Sequence, residues 1–344
     1  MLQTYHVDLD YESYLFNKDY YPQSDESLKI IKEFEYVFFL VNKDPCILNH
    51  VREYDKNYLK KLRENHFFIP ELCLKGNDEK SQPWWGHHHN FTLEQYLNSK
   101  LTSAEVALKN NWGFINGAIV TNAKEIRLHI EKNHHIKKWI IKKPFSFSGI
   151  GHYQFQSDKF NDFLIGKMVE GPVLLEPLLD RKFDLGTTFI IENGIILKQF
   201  MVLNYNNKSG GFRGGIGASS VEKFKKYMLD FLHYDIDPLV IQTQAIAQHY
   251  LDLGAQKNIQ IDSFVYLDEF TNKLETYVLC EVNYRKTMGL VIQSLAEKYS
   301  DKDFIEWHVR SQKEIKLDED FYKTGTQLRL SPDGTHFQSY LRYF

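Results

Sequence analysis

The feature that most constrains the fold is a pair of apolar runs, I-Q-I-D-S-F-V-Y-L (259–267) and L-E-T-Y-V-L-C-E-V-N (274–283), joined by D-E-F-T-N-K. Both are rich in β-branched and aromatic residues, the composition of adjacent buried strands. With residues 268–273 as the loop, Leu267 faces Leu274 and Asp262 falls opposite Leu279. Successive side chains on a strand point to opposite faces. Glu281, Asn283 and Arg285 therefore share one face, and Asp262 joins it. A half-buried strand with one wet face explains any one of these residues but explains the set less well. Carboxylate and amide oxygens are the hard ligands that Mg²⁺ prefers, and Arg suits a phosphate or a developing oxyanion. The spacing predicts a metal–phosphate site, provided a nucleotide cradle exists elsewhere.

A chain of 344 residues suits two or three packed domains. Hydrophobic residues at 43% and charged residues at 25% exclude a disordered chain or a membrane protein. A net charge of -3 argues against a protein built to coat nucleic acid. Cys46, Cys73 and Cys280 are scattered and lack any Cys-x-x-Cys pairing, as expected of buried thiols in a reducing compartment. The N-terminus carries no basic segment followed by an apolar one, and no run approaches the ~20 apolar residues of a membrane span. The expectation is a cytoplasmic protein.

Along the chain, 27–42 reads as a helix running into a buried strand, Tyr36 to Val41, followed by a second helix from about Asn49 to Asn65 and a short strand in F-F-I-P-E-L. That alternation predicts a small α/β domain with parallel strands. The stretch around 76–90 reads as a loop or linker, and T-L-E-Q-Y-L-N-S-K-L-T-S-A-E-V-A-L-K-N-N as helix stopping at Asn111 and Gly113. Strands follow from Ile136, with Glu192-Asn193-Gly194 as a hairpin signal. The glycine-rich K-S-G-G-F-R-G-G-I-G-A-S-S reads as a polar loop without regular conformation, and 221–254 as one or two helices.

Residues 140–153, I-I-K-K-P-F-S-F-S-G-I-G-H-Y, put two lysines at a strand end before a Ser/Gly turn. Small residues let backbone N–H groups approach a polyphosphate while the lysine supplies charge. The Gly-Lys-Ser/Thr core of a Walker A loop is missing. Taken alone, such a pair is more often a solvated strand end. The next element, L-L-E-P-L-L-D-R-K-F-D, could be a hinge whose backbone reads an adenine edge, with Asp184 accepting from ribose hydroxyls; by itself an edge strand with a charged turn explains it as well.

Together, over about residues 90–295, these segments resemble the ATP-grasp superfamily of ATP-dependent ligases: N-S-K at 98–100, I-K-K-P with its Ser/Gly turn, the L-L-E-P-L-L hinge, and Asp262 followed by E-V-N-Y-R. The E-x-N-x-R ending is the most specific of the four and is similar to that of biotin carboxylase and carbamoyl phosphate synthetase. The resemblance implies an α/β protein with two lobes clasping ATP after a small Rossmann-like domain, divided as 1–88, 89–175 and 176–344. It implies Lys143, with Lys142 the alternative, and Lys100 as phosphate lysines, and Ser146, Ser148, Gly149 and Gly151 in a flap over the phosphates. Glu176 and Leu179 would lie at the adenine hinge and Asp184 at the ribose. Asp262, Glu281 and Asn283 would hold one or two Mg²⁺ ions, or Mn²⁺, with Arg285 facing the transferred phosphate and the tetrahedral intermediate. The implied activity joins a carboxylate to an amine, on an amino acid or peptide, through an acyl phosphate, and a homodimer is compatible with it. A kinase on the same fold and an inactive nucleotide-binding protein are the alternatives.

The chain departs from the family pattern in two places. The ribose acid is displaced relative to the hinge, which leaves Asp180 open, and Gln260 stands where some peptide ligases carry arginine. Two further segments are read from their residues alone. Arg213, in the glycine-rich segment, could close over a carboxylate substrate. His87 and His89 of W-W-G-H-H-H-N could share a strand face toward a metal, but three adjacent histidines without nearby Cys or acid are more often a polar loop.

Overall fold

The computed structural model describes residues 2–16, 25–74, 81–146, 151–161, 165–166, 169, 171–207, 210–317 and 327–344. Their strands form three sheets. The first is parallel, ordered β3-β2-β1-β4 from Gln3–His6 (β1), Cys46–His50 (β2), Glu71–Leu74 (β3) and Gln82–Pro83 (β4). The expected parallel strands are therefore present, with two of the elements exchanged, and they share one core with Val291, Ile292, Leu295 and Trp307. Val37–Val41 is a short helix, and the strand lies at Cys46–His50, where a helix was expected to begin. An apolar run of five does not distinguish a buried strand from a buried helix, and here Val37, Phe38, Phe39 and Leu40 are all buried. The following helix starts only at Lys56, because Asp55 caps it by accepting from Asn57 N at 2.7 Å and Tyr58 N at 3.3 Å.

The second sheet, ordered β5-β8-β6-β7, is antiparallel and contains Ala118–Val120 (β5), Lys138–Lys142 (β6), His152–Gln156 (β7) and Val173–Pro177 (β8). Trp139, Ile141, Val173 and Leu175 pack beneath it with Ile126 and Ile130. The third sheet has eight antiparallel strands in the order β13-β12-β9-β10-β11-β14-β16-β15. They are Asp180–Glu192 (β9), Ile195–Asn206 (β10), Phe212–Gly217 (β11), Ile259–Leu267 (β12), Leu274–Asn283 (β13), Ile305–Ser311 (β14), Gln327–Arg329 (β15) and Phe337–Tyr343 (β16). The expected hairpin joins β9 to β10, with Asn193 and Gly194 both at positive φ. Helices Val221–Leu232 and Asp237–Asp252 cover one face through Phe224, Met228, Ile246 and Tyr250. No helix among the described residues is long and apolar enough to cross a membrane.

The glycine-rich segment is a strand, β11, between β10 and β14, contrary to the expectation of an irregular loop. Its glycines answer to crowding. A Cβ on Gly215 would lie 2.2 Å from Leu203 O, and one on Gly217 2.6 Å from Ile292 Cγ2, so helix Met288–Lys298 packs directly on the strand. Gly214 has φ +117°, and its Cβ would meet Trp307 O at 1.8 Å. Arg213 lies against Glu314 at 3.3 Å and the Phe337 ring at 5.0 Å. Replacement of Gly214 by alanine should cost on the order of 3 kcal/mol through strain and overpacking together, measured by urea unfolding; an unchanged midpoint would contradict this packing.

Candidate active site

The β12–β13 hairpin pairs Leu267 with Leu274, as the loop length predicts. A bulge between Asp262 and Phe264 then shifts the register by two residues, so Asp262 faces Glu281 and not Leu279. An even shift keeps the side chain on its face. The correction therefore tightens the acidic pair: two carboxylates lie directly across from each other, and Asn283 Nδ2 donates to Asp262 Oδ2 at 2.9 Å. Gln260 donates to Asp262 Oδ1 at 2.6 Å and accepts from Thr188 and Thr287.

Lysines approach this face from the second sheet and from the N-S-K segment. The predicted single helix is two, Phe91–Asn98 and Lys100–Asn110, because Ser99 is extended and caps the second. The break places Lys100 N on Pro144 O at 3.1 Å and Lys100 Nζ on Ser146 O at 2.9 Å, while the same ammonium is ion-paired with Glu281. Asn98 on the other side of the break accepts from Tyr284 N at 2.8 Å. Lys142, buried at the end of β6, lies 2.5 Å from Glu176 Oε2 and 3.6 Å from Cys280 Sγ. Lys143, the lysine the family resemblance prefers, follows the strand and is exposed. Strand alternation turns Lys142 inward, and the adjacent proline does not reveal that.

Glu176 also accepts from Tyr277 OH at 2.5 Å, and Leu179 packs with Phe264, Tyr266 and Tyr277. Asp184 lies 3.0 Å from Arg181 and accepts from Asn206 at 3.1 Å, whereas Asp180 pairs with Lys182 at the exposed surface. Gly151, at φ +80°, adopts a conformation that glycine favours, and Ser146 Oγ is 3.4 Å from His152 Nε2. Ser148 and Gly149 lie outside the described residues. Arg285 is ion-paired with Glu12 of the first domain, and its charge is felt at Asp262. Arg213 makes no contact with this cluster.

Burial and the neighbouring Glu281 push the Asp262 carboxyl well above the ordinary carboxylate range, against Gln260 and the Arg285 and Lys100 charges. Burial would raise Glu281 too, but the Lys100 ammonium more than reverses it, so Glu281 stays ionised. Two apposed carboxylates and an amide oxygen, one acid destabilised by the other, are a donor set that a divalent cation would relieve. They fit Mg²⁺. Among the described residues no group of three His, Cys, Asp or Glu gathers to hold a metal, here or elsewhere, so the third donor at this site is the Asn283 amide. His152, pushed down to about 4 by burial and by Lys142 and Lys100, is neutral beside the cluster. It went unmarked in the sequence, as did Arg181, whose guanidinium lies 3.9 Å from the Phe264 ring centre. What draws them to the cluster is distant in the chain, Phe264 and Cys280 for Arg181 and the Lys100 charge for His152, so only strand pairing could reveal them.

The fold and the matches made by shape agree. With the ADP complex of N5-carboxyaminoimidazole synthetase from Staphylococcus aureus the chain shares 13% identity at a TM-score of 0.51, over 86% of this chain and 82% of that one. With biotin carboxylase from Campylobacter jejuni, in its β-γ-ATP complex, the values are 8% and 0.55, over 100% and 88%. The fold is the ATP-grasp fold. The biotin carboxylase domain of Hydrogenobacter thermophilus 2-oxoglutarate carboxylase, with MgADP and bicarbonate, is similar at 9% identity and 0.55 over 100% and 86%. By sequence, no protein-family model and no curated protein matches the chain. Lys142 and Glu176 both belong to the second sheet, where Lys142 also approaches Cys280 of the third, and Lys100 reaches Glu281 of the third sheet from the N-S-K helix.

The histidine run has no metal-binding arrangement. His87 is buried, its ring 4.5 Å from that of Tyr284; His88 lies 2.8 Å from Asp8; His89 contacts Lys257. Burial, with Lys286 and Lys257 nearby, lowers His87 to about 3 from an ordinary 6.5. The unfolded chain therefore binds a proton that the folded one refuses. Stability from this site is complete above pH 6.5 and is lost toward pH 3, at about 1.4 kcal/mol per pH unit. Between pH 6.5 and about 5 the native protein should lose on the order of 2 kcal/mol more than His87→Gln in urea unfolding; parallel pH dependences would contradict this.

Proposed function

We propose that this chain is an ATP- and Mg²⁺-dependent ligase that joins a carboxylate to an amine through an acyl phosphate, with an amino acid or peptide as substrate. The observation that carries the reading is the apposition of Asp262 and Glu281, with Asn283 beside them, against Lys100 from the N-S-K helix, while Lys142 pairs with Glu176 on the second sheet. The compared proteins of this fold are a synthetase and biotin carboxylases holding ADP or an ATP analogue. We assign 1–88 to the N-terminal domain, 89–177 to the first lobe and 178–344 to the second; the expected division at 175/176 would cut β8, which pairs with β6 as far as Pro177. The three unbonded cysteines fit a cytoplasmic setting, although only Cys46 is fully buried.

In this reading Lys100 and Lys142 leave their carboxylates for the phosphates of ATP, with Lys143 outside at the flap formed by Ser146 and Gly151. Glu176 and Leu179 take the adenine edge and Asp184 the ribose hydroxyls. Asp262, Glu281 and Asn283 would hold Mg²⁺, which would supply positive charge to the transferred phosphate. A substrate carboxylate oxygen attacks the γ phosphorus and ADP leaves with the bridging oxygen. The amine nitrogen then attacks the acyl carbon, Arg285 donates to the oxyanion, inorganic phosphate departs, and the nitrogen loses its proton to water. Arg213, engaged with Glu314 on β11, has no part in these steps.

Purified protein with MgATP and a pooled library of amino acids and small carboxylates should release ADP and phosphate only when both a carboxylate and an amine are present. Glu281→Ala should reduce that release by about 100-fold or more. Turnover with a hydroxyl compound alone would make the protein a kinase, and absence of nucleotide binding would remove the site assignments together.

A further inference from the structure

Arg285 is the proposed oxyanion donor, yet it lies just beyond the end of β13 and no regular hydrogen-bond ladder fixes it. Its guanidinium is instead held from the N-terminal domain. Glu12 is ion-paired with Nη2, Nη1 donates to Lys286 O at 2.9 Å, and the Trp85 ring centre lies 5.9 Å away. Both side chains of the pair are close to nine-tenths buried, at 12% and 10% exposed.

Glu12 rides on a rigid frame. It follows β1 in helix Tyr11–Phe16, opposite the turn that follows β4. Asp8 ties the two together by accepting from Trp85 N at 2.6 Å and Gly86 N at 3.1 Å, and it lies 2.8 Å from His88. Tyr11 is bound to Glu94, whose carboxylate also accepts from the backbones of His88, His89 and Asn90. A Cβ on Gly86 would fall 2.2 Å from the Tyr11 ring, so the crevice between β1 and β4 is filled by protein. In parallel α/β sheets such a crevice, where strand order reverses, is the usual ligand site. Here it is built as a brace.

We infer that Glu12 is a positioning residue for Arg285: it holds the guanidinium at the mouth of the cleft and keeps it from collapsing onto Asp262 and Glu281. The inference rests on the ligase reading for its catalytic consequence but not for its geometry. A buried arginine stripped of its carboxylate is a costly unpaired charge, and the Arg285 charge already acts on Asp262, a candidate metal ligand, which is then the acid left to take it.

Glu12→Gln keeps the shape and removes the charge. Its kcat should fall about 30-fold or more with KM for ATP within about threefold, and Glu12→Asp should recover part of the loss. Independently of turnover, calorimetric titration of Mg²⁺ in the presence of ADP should show about tenfold weaker metal binding in Glu12→Gln, restored when Arg285→Ala is added. Weaker binding that persists in the double variant, or a Glu12→Gln protein equal to wild type in both readouts, would overturn the inference. Thermal unfolding of each variant separates these effects from misfolding: if Glu12→Gln unfolds early, Glu12→Asp and the double variant carry the comparison. Lack of turnover by wild type with every carboxylate–amine pair would sink the ligase reading, while the metal titration would still decide on Glu12.

Discussion

The ion pair between Lys100 and Glu281 is the contact on which the interlobe site depends. It joins the start of helix Lys100–Asn110 to β13, and the same ammonium reaches Ser146 O in the turn after β6. Around it the chain matches charges across elements, Lys142 with Glu176 and Arg285 with Glu12, and within β9, Arg181 with Asp184. A buried charge without a partner is costly, and each of these groups has its partner in another of them. Asp262 is the exception. Its immediate partners are the neutral amides of Gln260 and Asn283, and its neighbour Glu281 repels its charge. The site is therefore balanced in its cations and short of one beside Asp262.

Rigidity around this cluster comes from elements with no chemistry of their own. The glycines of β11 let helix Met288–Lys298 lie directly on the eight-stranded sheet, and that helix joins the core shared with the N-terminal domain. The same docking brings Glu12 to Arg285. Asn98 and Ser103 bind the backbone of Tyr284 and Val282, so the N-S-K helix cannot move without the end of β13.

Much of the site was legible because strand periodicity is local. The six-residue loop set the Leu267–Leu274 register, and alternation put Asp262, Glu281 and Asn283 on one face. The bulge beyond Asp262 had no signal in residue type, so its true partner was missed although its face was not. Lys142 and Lys143 are equivalent in sequence and separate only when one side of the strand is known to be covered. Val37–Val41 and β11 were misread for a shared reason: apolar runs and glycine runs take their conformation from what packs on them. Glu12 was invisible, since nothing near it in the chain foretells an arginine arriving from the far end of another domain.

In the proposed ligase, nucleotide and metal would enter by displacing internal ion pairs, the phosphates drawing Lys100 away from Glu281 so that the cation could take its place. Calorimetric titration of Mg²⁺ with and without ADP tests it most directly. Metal should bind weakly to the free protein and at least about tenfold more tightly once ADP is bound, with ADP gaining the same factor from Mg²⁺, because linkage is reciprocal. Equal Mg²⁺ affinity in the two titrations would mean that Lys100 does not guard Glu281, and the account of the cleft would be wrong.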